Sequence, residues 1–151
     1  MDRLNFVKIR FYSNLLMILT SIHHIYGAIV YDTPWRLHIL FFSLPVLAFN
    51  WITAGKKLTR PLLYTFLLVN LIVTTCLIGL FEGVYNHLLK DILFYAGTDS
   101  DTMAKLFPPP TYVMPNNFFF EFTGVLQALS AILLVYHFIK VTRQKLWHPA
   151  S

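Results

Sequence analysis

Charged residues are scarce in this sequence, and cysteine is almost absent. Asp, Glu, Lys and Arg make up 13% of the 151 residues, whereas an average soluble domain has about 25%. A chain with so little charge has too few polar side chains to cover a water-soluble globule of this size. The single cysteine, Cys76, excludes a disulfide scaffold, and the 56% share of hydrophobic residues excludes intrinsic disorder.

Short sequence motifs with a known chemistry are missing as well. The chain has no internal repeat, no phosphate-binding loop, no CxxC pair and no shift in composition that would mark a domain boundary. Histidine pairs at metal-binding spacing within one helix, such as HxxxH or HExxH, are also absent. We therefore expect one domain over residues 1–151, with any site assembled from several segments.

What the sequence does contain is four long apolar runs. A membrane-spanning helix needs about 20 mostly apolar residues, whereas barrel strands alternate in hydrophobicity over about 10 residues. The runs are too long and too continuously apolar for such strands. They predict an all-α integral membrane protein with four transmembrane helices in a bundle. The predicted spans are residues 11–31, 34–54, 61–82 and 118–140.

Residues at the ends of the runs predict where the helices begin and end. Thr33 followed by Pro34 is typical of an N-cap and a first helical position. Gly55 stands where a glycine would end the second helix, and the pair Asn116-Asn117 can cap the fourth. A basic segment precedes the first run, as in a signal peptide, but the run is too long and no A-x-A site follows. We expect an uncleaved first span.

Basic residues are concentrated on one side of the predicted bundle, nine against three. Because cytoplasmic loops carry the excess of Lys and Arg, both termini are predicted to be cytoplasmic, in a bacterial cytoplasmic membrane or the endoplasmic reticulum. The same bias accounts for the net charge of +5, so we expect the lipid bilayer and no nucleic acid as a partner. The nine are Arg3, Lys8, Arg10, Lys56, Lys57, Arg60, Lys140, Arg143 and Lys145, and the three are Arg36, Lys90 and Lys105.

Helical periodicity continues beyond the third span, over residues 83–96, with a polar face. This segment is either a helical extension of the third span or an amphipathic helix in the membrane interface, with Glu82 and Lys90 facing water. The Pro-rich loop 98–117 follows, contains one short helix and should partly cover the outer face. The polar residues of the segment and its start are Glu82, Asn86, His87, Lys90 and Asp91.

Polar residues from all four spans converge at the outer, non-cytoplasmic end of the bundle. Glu82 ends the third span, Glu121 opens the fourth, and His38 lies near the start of the second. Small residues at helical spacing after Glu121 would let the fourth helix approach its neighbours closely. One face of the first span carries Thr20, His23, His24, Gly27 and Tyr31, and the small residues of the fourth are Gly124, Ala128 and Ala131.

Histidines and carboxylates in this arrangement suit three kinds of chemistry. His23, His24 and Glu82 are the predicted ligands of a transition metal such as Zn, Fe or Cu. The same three residues with Glu121 are the predicted acid–base catalysts, and ion or proton passage is the third kind. We expect a lipophilic small molecule to be bound or transformed near the outer surface. The predicted substrate-binding residues are His38, Tyr85, Asn86 and His87.

Structural roles explain some of these residues equally well. The helix dipole favours Glu121 in a first turn, and His87 with Asp91 can form a surface pair four residues apart. His38 can anchor the second span in the interface. On this interpretation the protein is a non-enzymatic accessory subunit of a membrane complex, or a component of a transporter or channel. Its partner would then be another membrane protein or a second copy of the chain.

Overall fold

The computed structural model describes residues 3–109 and 111–147. Within these residues the chain is helical and has no strands. Four helices are long and apolar enough to cross a membrane, which confirms the prediction of an all-α chain with four such helices. The α-helices are α1 (Arg3–Val30), α2 (Leu40–Ile52), α3 (Arg60–Val69), α4 (Lys90–Tyr95), α5 (Ser100–Leu106) and α6 (Phe118–Trp147).

Two of the four long helices are composite. A 3₁₀-helix, Pro34–Ile39, leads directly into α2. Helix α3 continues through a π-helix, Asn70–Leu89, into α4, and we call the whole of Arg60–Tyr95 the third helix. Because a π-helix bonds residues five apart, side chains at that spacing lie one above the other. Glu82 and His87 meet in this way.

The segment after the predicted third span is a helical extension, and its polar face turns inward. Lys90 is 1% exposed, and Asn86 and His87 are buried as well. The alternative in which Lys90 faces water is therefore wrong. A buried lysine needs a charged partner, and Glu121 of α6 supplies one at 3.2 Å.

Glycine and alanine set the distance between α6 and the third helix. A Cβ placed on Gly83 would lie 2.8 Å from the backbone nitrogen of Ala128, and one on Gly79 would lie 2.6 Å from the Cβ of Ala131. A Cβ placed on Gly124 would likewise lie too close to the ring of His87. The predicted close approach of this face of α6 is confirmed. It brings polar side chains of the two helices within hydrogen-bonding distance of each other.

The turn after α1 leads into a helix that begins at Pro34, as predicted, but the side chain of Thr33 does not cap it. Asp32 has a φ of +49°, and the side chain of Thr33 makes no capping hydrogen bond. The Thr33 hydroxyl instead donates to the carbonyl oxygen of Gly27 at 3.3 Å and accepts from Nε of Arg36 at 2.9 Å. Thr33 therefore occupies the predicted N-cap position, with Pro34 first in the helix, but its hydroxyl orients Arg36 and does not cap the first turn.

The predicted helix ends at Gly55 and Asn117 are confirmed, and Gly97 ends the third helix in the same way as Gly55 ends the second. Gly55 has a φ of +70° and Gly97 a φ of +83°, which is the left-handed region that favours glycine after a helix. Asn117 accepts a hydrogen bond from the backbone nitrogen of Phe120 at 3.1 Å. It thereby caps the first turn of α6 and fixes the start of the helix that carries Glu121.

A network of buried amides joins α1, α2 and the third helix, about three turns along α1 from His23. Asn70 accepts a hydrogen bond from Ser13, and Asn50 and Asn70 exchange hydrogen bonds of 3.0 and 3.2 Å. Asn50 also donates to Asn14 at 2.8 Å. These groups bond to one another, as buried polar groups should, so we assign this network a structural role.

Candidate functional site

The centre of the site is a carboxylate surrounded by imidazole rings. Oε1 of Glu82 lies 3.3 Å from Nε2 of His24 on α1 and 3.7 Å from Nε2 of His87 on the third helix. Its second oxygen accepts a hydrogen bond of 2.7 Å from Nδ2 of Asn86. The contact with His24 is short but is not aligned as a hydrogen bond. Both ring nitrogens of His24 are therefore left without a hydrogen-bond partner.

His23, the neighbour of His24, is fully buried and is oriented by α6. Its Nδ1 lies 2.9 Å from the hydroxyl oxygen of Thr123. That hydroxyl donates its single proton to the backbone carbonyls of Phe119 and Phe120, at 2.9 and 3.0 Å. We therefore assign the acceptor role in this contact to the hydroxyl, and the ring proton to Nδ1 of His23. Nε2 of His23 is left with a free lone pair and has no hydrogen-bond partner.

Three of these side chains form a potential ligand set for a metal ion. One ligand atom from each of His23, His24 and Glu82 lies within 4.8 Å of the other two. Two ligands about 2.1 Å from a tetrahedral Zn²⁺ are roughly 3.4 Å apart, close to the 3.3 Å between His24 and Glu82. Two imidazole nitrogens and one carboxylate oxygen suit zinc, iron or another first-row metal.

A second chain of polar contacts fixes His87 behind Glu82. Nδ1 of His87 lies 3.1 Å from Oε2 of Glu121, and Nζ of Lys90 lies 3.2 Å from the same oxygen. Lys90 also donates to the carbonyl oxygen of Val113 at 2.9 Å. These bonds join the third helix to α6 and to the loop between α5 and α6. They therefore hold the position of His87 and, through it, of Glu82.

Aromatic packing restrains the histidine rings further. The ring of Phe120 stacks on His23 with centroids 3.9 Å apart, and the edge of His87 meets His23 at 4.4 Å. Phe120 is 2% exposed, so both imidazoles are held in a closely packed environment. Side chains fixed in this way are preorganised for binding.

A cavity of about 290 Å³ adjoins Glu82 and His24. Its polar end is formed by residues of α1, the 3₁₀-helix and the third helix, and its apolar wall by α2 and the third helix. Residues 111–113 cover it from the loop. Burial and the carboxylate of Glu82 raise the pKa of Tyr112 in that cover, so its hydroxyl stays protonated. The polar lining is His24, Arg36, His38, Glu82, Asn86, His87 and Lys90, and the apolar lining includes Ile39, Phe42, Val73, Leu77 and Phe81.

The predicted site residues fall into three groups. His24, His38, Glu82, Asn86 and His87 line the cavity. His23 and Glu121 lie behind it, in contact with other members of the cluster. The hydroxyl of Tyr85 donates to the carbonyl oxygen of Leu106 at 2.9 Å, and its ring packs on Phe107. Tyr85 therefore joins the third helix to α5 and does not line the cavity.

Sequence reasoning missed three residues of the site, namely Arg36, Lys90 and Thr123. In the sequence Arg36 stands out only as one of the few basic residues on its side. For Lys90 the sequence leaves two alternatives open, a helical extension of the third span and a face turned to water. Thr123 carries no signal in the sequence, because its role depends on which helix lies opposite.

Comparison of the chain with protein-family models, with curated proteins and with solved structures finds no match. What the site can do chemically follows from the groups that it assembles. These are two buried imidazoles with free nitrogens, a carboxylate within reach of both, and a cavity that has a polar end and an apolar wall.

Proposed function

We propose that this chain is a multi-pass membrane protein that binds a divalent transition metal through His23, His24 and Glu82. The metal would act on a lipophilic small molecule that enters the adjoining cavity from the bilayer. The observation that carries the proposal is the environment of His23, whose Nδ1 lies against the Thr123 hydroxyl while its buried Nε2 has no hydrogen-bond partner. Metal-ligating histidines commonly bond through their second ring nitrogen in this way.

The membrane part of the proposal is supported by the outward-facing surface. Large apolar side chains are exposed on all four long helices, a surface that would be unfavourable in water and suits hydrocarbon. The excess of Lys and Arg at the end opposite the cluster favours cytoplasmic termini. The site would then open near the non-cytoplasmic face. Exposed apolar residues include Ile29, Phe41, Trp51, Leu68 and Phe118.

The choice of metal chemistry over acid–base chemistry alone is supported by the unpartnered histidine nitrogens. Buried polar atoms are nearly always hydrogen-bonded, yet Nε2 of His23 and both ring nitrogens of His24 are not. One ion between them and Glu82 would bind one ring nitrogen of each histidine and one carboxylate oxygen. Three protein ligands leave a coordination position open, as in catalytic zinc sites. The open position would face the cavity, where a bound metal can polarise a carbonyl or activate water.

The other members of the cluster would orient the ligands. Asn86 and His87 approach the two oxygens of the Glu82 carboxylate, Glu121 contacts His87, and Lys90 in turn pairs with Glu121. We assign these four as positioning residues. Outer-shell partners of this kind typically change metal affinity by about 10–100-fold when they are replaced.

The test is the metal content of protein purified without a histidine tag and reconstituted with Zn²⁺ or Co²⁺. We expect about one ion per chain, as for a single site with three protein ligands, and its loss in His23→Ala/His24→Ala and in Glu82→Gln. Visible absorption of the Co²⁺ form reports on the geometry of the site independently of activity.

Two matched variants control for the removal of histidine as such. His38→Ala removes a cavity histidine whose Nδ1 already bonds to the carbonyl oxygen of Trp35. His137→Ala removes one at the opposite end, bonded to Asn5. Both should bind metal like the wild type. Wild-type protein without metal after reconstitution, or equal metal in the double variant, would contradict the proposal.

A further inference from the structure

Arg36 is a buried cation without an anionic partner. It is 5% exposed, its Nε donates to Thr33, and its Nη2 has no hydrogen-bond partner. Among the described residues, no carboxylate oxygen lies within 4.0 Å of its guanidinium, whereas Lys90 pairs with Glu121 and Asp91. A buried charge is costly unless it is paired, so this arginine needs an explanation.

Aromatic rings surround the guanidinium of Arg36, and its Nη2 has no hydrogen-bond partner. Its Cζ lies 5.0 Å from the ring centroid of Trp35, 5.4 Å from that of Phe120 and 5.8 Å from that of Tyr31. Such contacts stabilise the cation, but they do not satisfy its N–H groups. Arg36 also lines the 290 Å³ cavity beside Glu82 and His24. A buried guanidinium with one unsatisfied donor therefore forms part of the wall of a space large enough for a small polar group.

We propose that the cavity binds an amphiphile with an anionic head group, a carboxylate or a phosphate, and that Arg36 recognises the head. The guanidinium presents planar N–H pairs that match both kinds of oxyanion. The apolar chain would leave along the opposite wall. Phe42 of the second long helix and Leu77 and Phe81 of the third line that wall and are themselves about half exposed. The chain would therefore reach the outer surface between these two helices.

The charges at this end of the bundle favour an anion once a metal is bound, and in this respect the inference rests on the proposed function. Around the cavity and the ion pairs that adjoin it, with the histidines counted as neutral, two cations, Arg36 and Lys90, stand against three carboxylates, Glu82, Glu121 and Asp91. A divalent ion converts the excess of one negative charge into an excess of one positive charge. An anionic head group at Arg36 would neutralise that excess inside a site shielded from water.

The experiment compares a medium-chain fatty acid with the alcohol of the same chain length, on metal-loaded protein in a neutral detergent, by calorimetry. An alkyl phosphate of that length tests the second head group, and acetate and inorganic phosphate test the heads without a chain. We expect the wild type to prefer at least one anionic amphiphile over the alcohol by roughly ten- to hundredfold, the contribution of a hydrogen bond to a charged group.

Two variants of Arg36 and one control variant assign the preference to this residue. In Arg36→Gln the anion and the alcohol should bind equally, whereas Arg60→Gln, at an exposed arginine of the opposite end, should keep the wild-type preference. Arg36→Lys retains the charge without the planar donor pairs and should keep part of the preference. If Arg36→Gln does not fold, the comparison of ligands on wild-type protein and Arg36→Lys still decides the question.

Three results would overturn the inference. The first is equal binding of anion and alcohol to metal-loaded wild type, which leaves the proposed metal site intact. The second is an unchanged preference in Arg36→Gln. The third is acetate or inorganic phosphate binding as tightly as its chain-bearing counterpart, which would identify a site for a free anion. A chain that binds no metal, in contrast, contradicts the proposed function itself.

Discussion

Thr123 on α6 lies with its hydroxyl oxygen 2.9 Å from Nδ1 of His23 on α1. The same hydroxyl is bonded to two backbone carbonyls of its own helix, so it can offer His23 only a lone pair. One side chain of α6 thus determines which nitrogen of a histidine on another helix is free. This relationship connects the packing of α1 against α6 directly to the chemistry proposed for the site.

Replacing Thr123 tests this relationship. Thr123→Val keeps the shape of the side chain but removes the acceptor, so His23 loses its fixed tautomer. We expect metal affinity to fall by about 10–100-fold, measured by competition with a chelating dye. Thr123→Ser retains the hydroxyl and should restore most of the affinity.

The matched control is Thr142→Val, which removes a hydroxyl that bonds only to the carbonyl oxygen of Phe138 on the same helix. It should bind metal like the wild type. Wild-type affinity in Thr123→Val would show that the tautomer of His23 is irrelevant. Equal loss in the Val and Ser variants would point to packing instead.

The sequence predicts the helices well because their signals are local. Continuous apolar runs, glycines at helix ends and small residues at helical spacing each act through near neighbours. The inward face of α1 is predictable for the same reason, since His23, His24 and Gly27 share it in any regular helix. That Glu82 meets this face also follows from topology, because the third apolar run ends on the side where the first run ends.

The partners of Glu82 and His87 could not be predicted in the same way. A regular α-helix would pair His87 with Asp91 four residues on, whereas the π-helix places it against Glu82 five residues before. The inward position of Lys90 depends on Glu121 of another helix. The role of Arg36 depends on a turn in which Thr33 bonds to a side chain instead of capping a helix.

Gly124 offers a test of the close approach that assembles the site. In Gly124→Ala the added methyl group would collide with the ring of His87, which Phe120 and Glu121 prevent from moving freely. Overpacking of this kind costs about 1–3 kcal/mol. We expect that loss in the free energy of unfolding, measured by denaturant titration in detergent, together with weaker metal binding.

Leu129→Ala is the control for Gly124→Ala, because Leu129 lies on the exposed face of the same helix. It should leave metal binding unchanged. If Gly124→Ala were as stable as the wild type and bound metal normally, the helices would have to be further apart than the contact between Gly124 and His87 indicates.

The ion pair between Lys90 and Glu121 gives the last prediction. Both side chains are buried, and removing Lys90 takes away the cationic partner of Glu121, whose carboxylate then retains the contact with His87. Lys90→Met should therefore lower the free energy of unfolding by about 3–5 kcal/mol. Lys105→Met, which removes an exposed lysine, should change it by no more than about 0.5 kcal/mol.

The double variant Lys90→Met/Glu121→Gln separates the pair from its surroundings. With both charges removed, most of the stability lost in Lys90→Met should return, because a buried ion pair contributes little beyond a neutral pair of similar volume. Metal binding should nevertheless stay weaker than in the wild type, since Glu121 also holds Nδ1 of His87 at 3.1 Å. Recovery of stability together with full metal affinity would mean that His87 does not position Glu82, and the outer ligand shell would have to be reassigned.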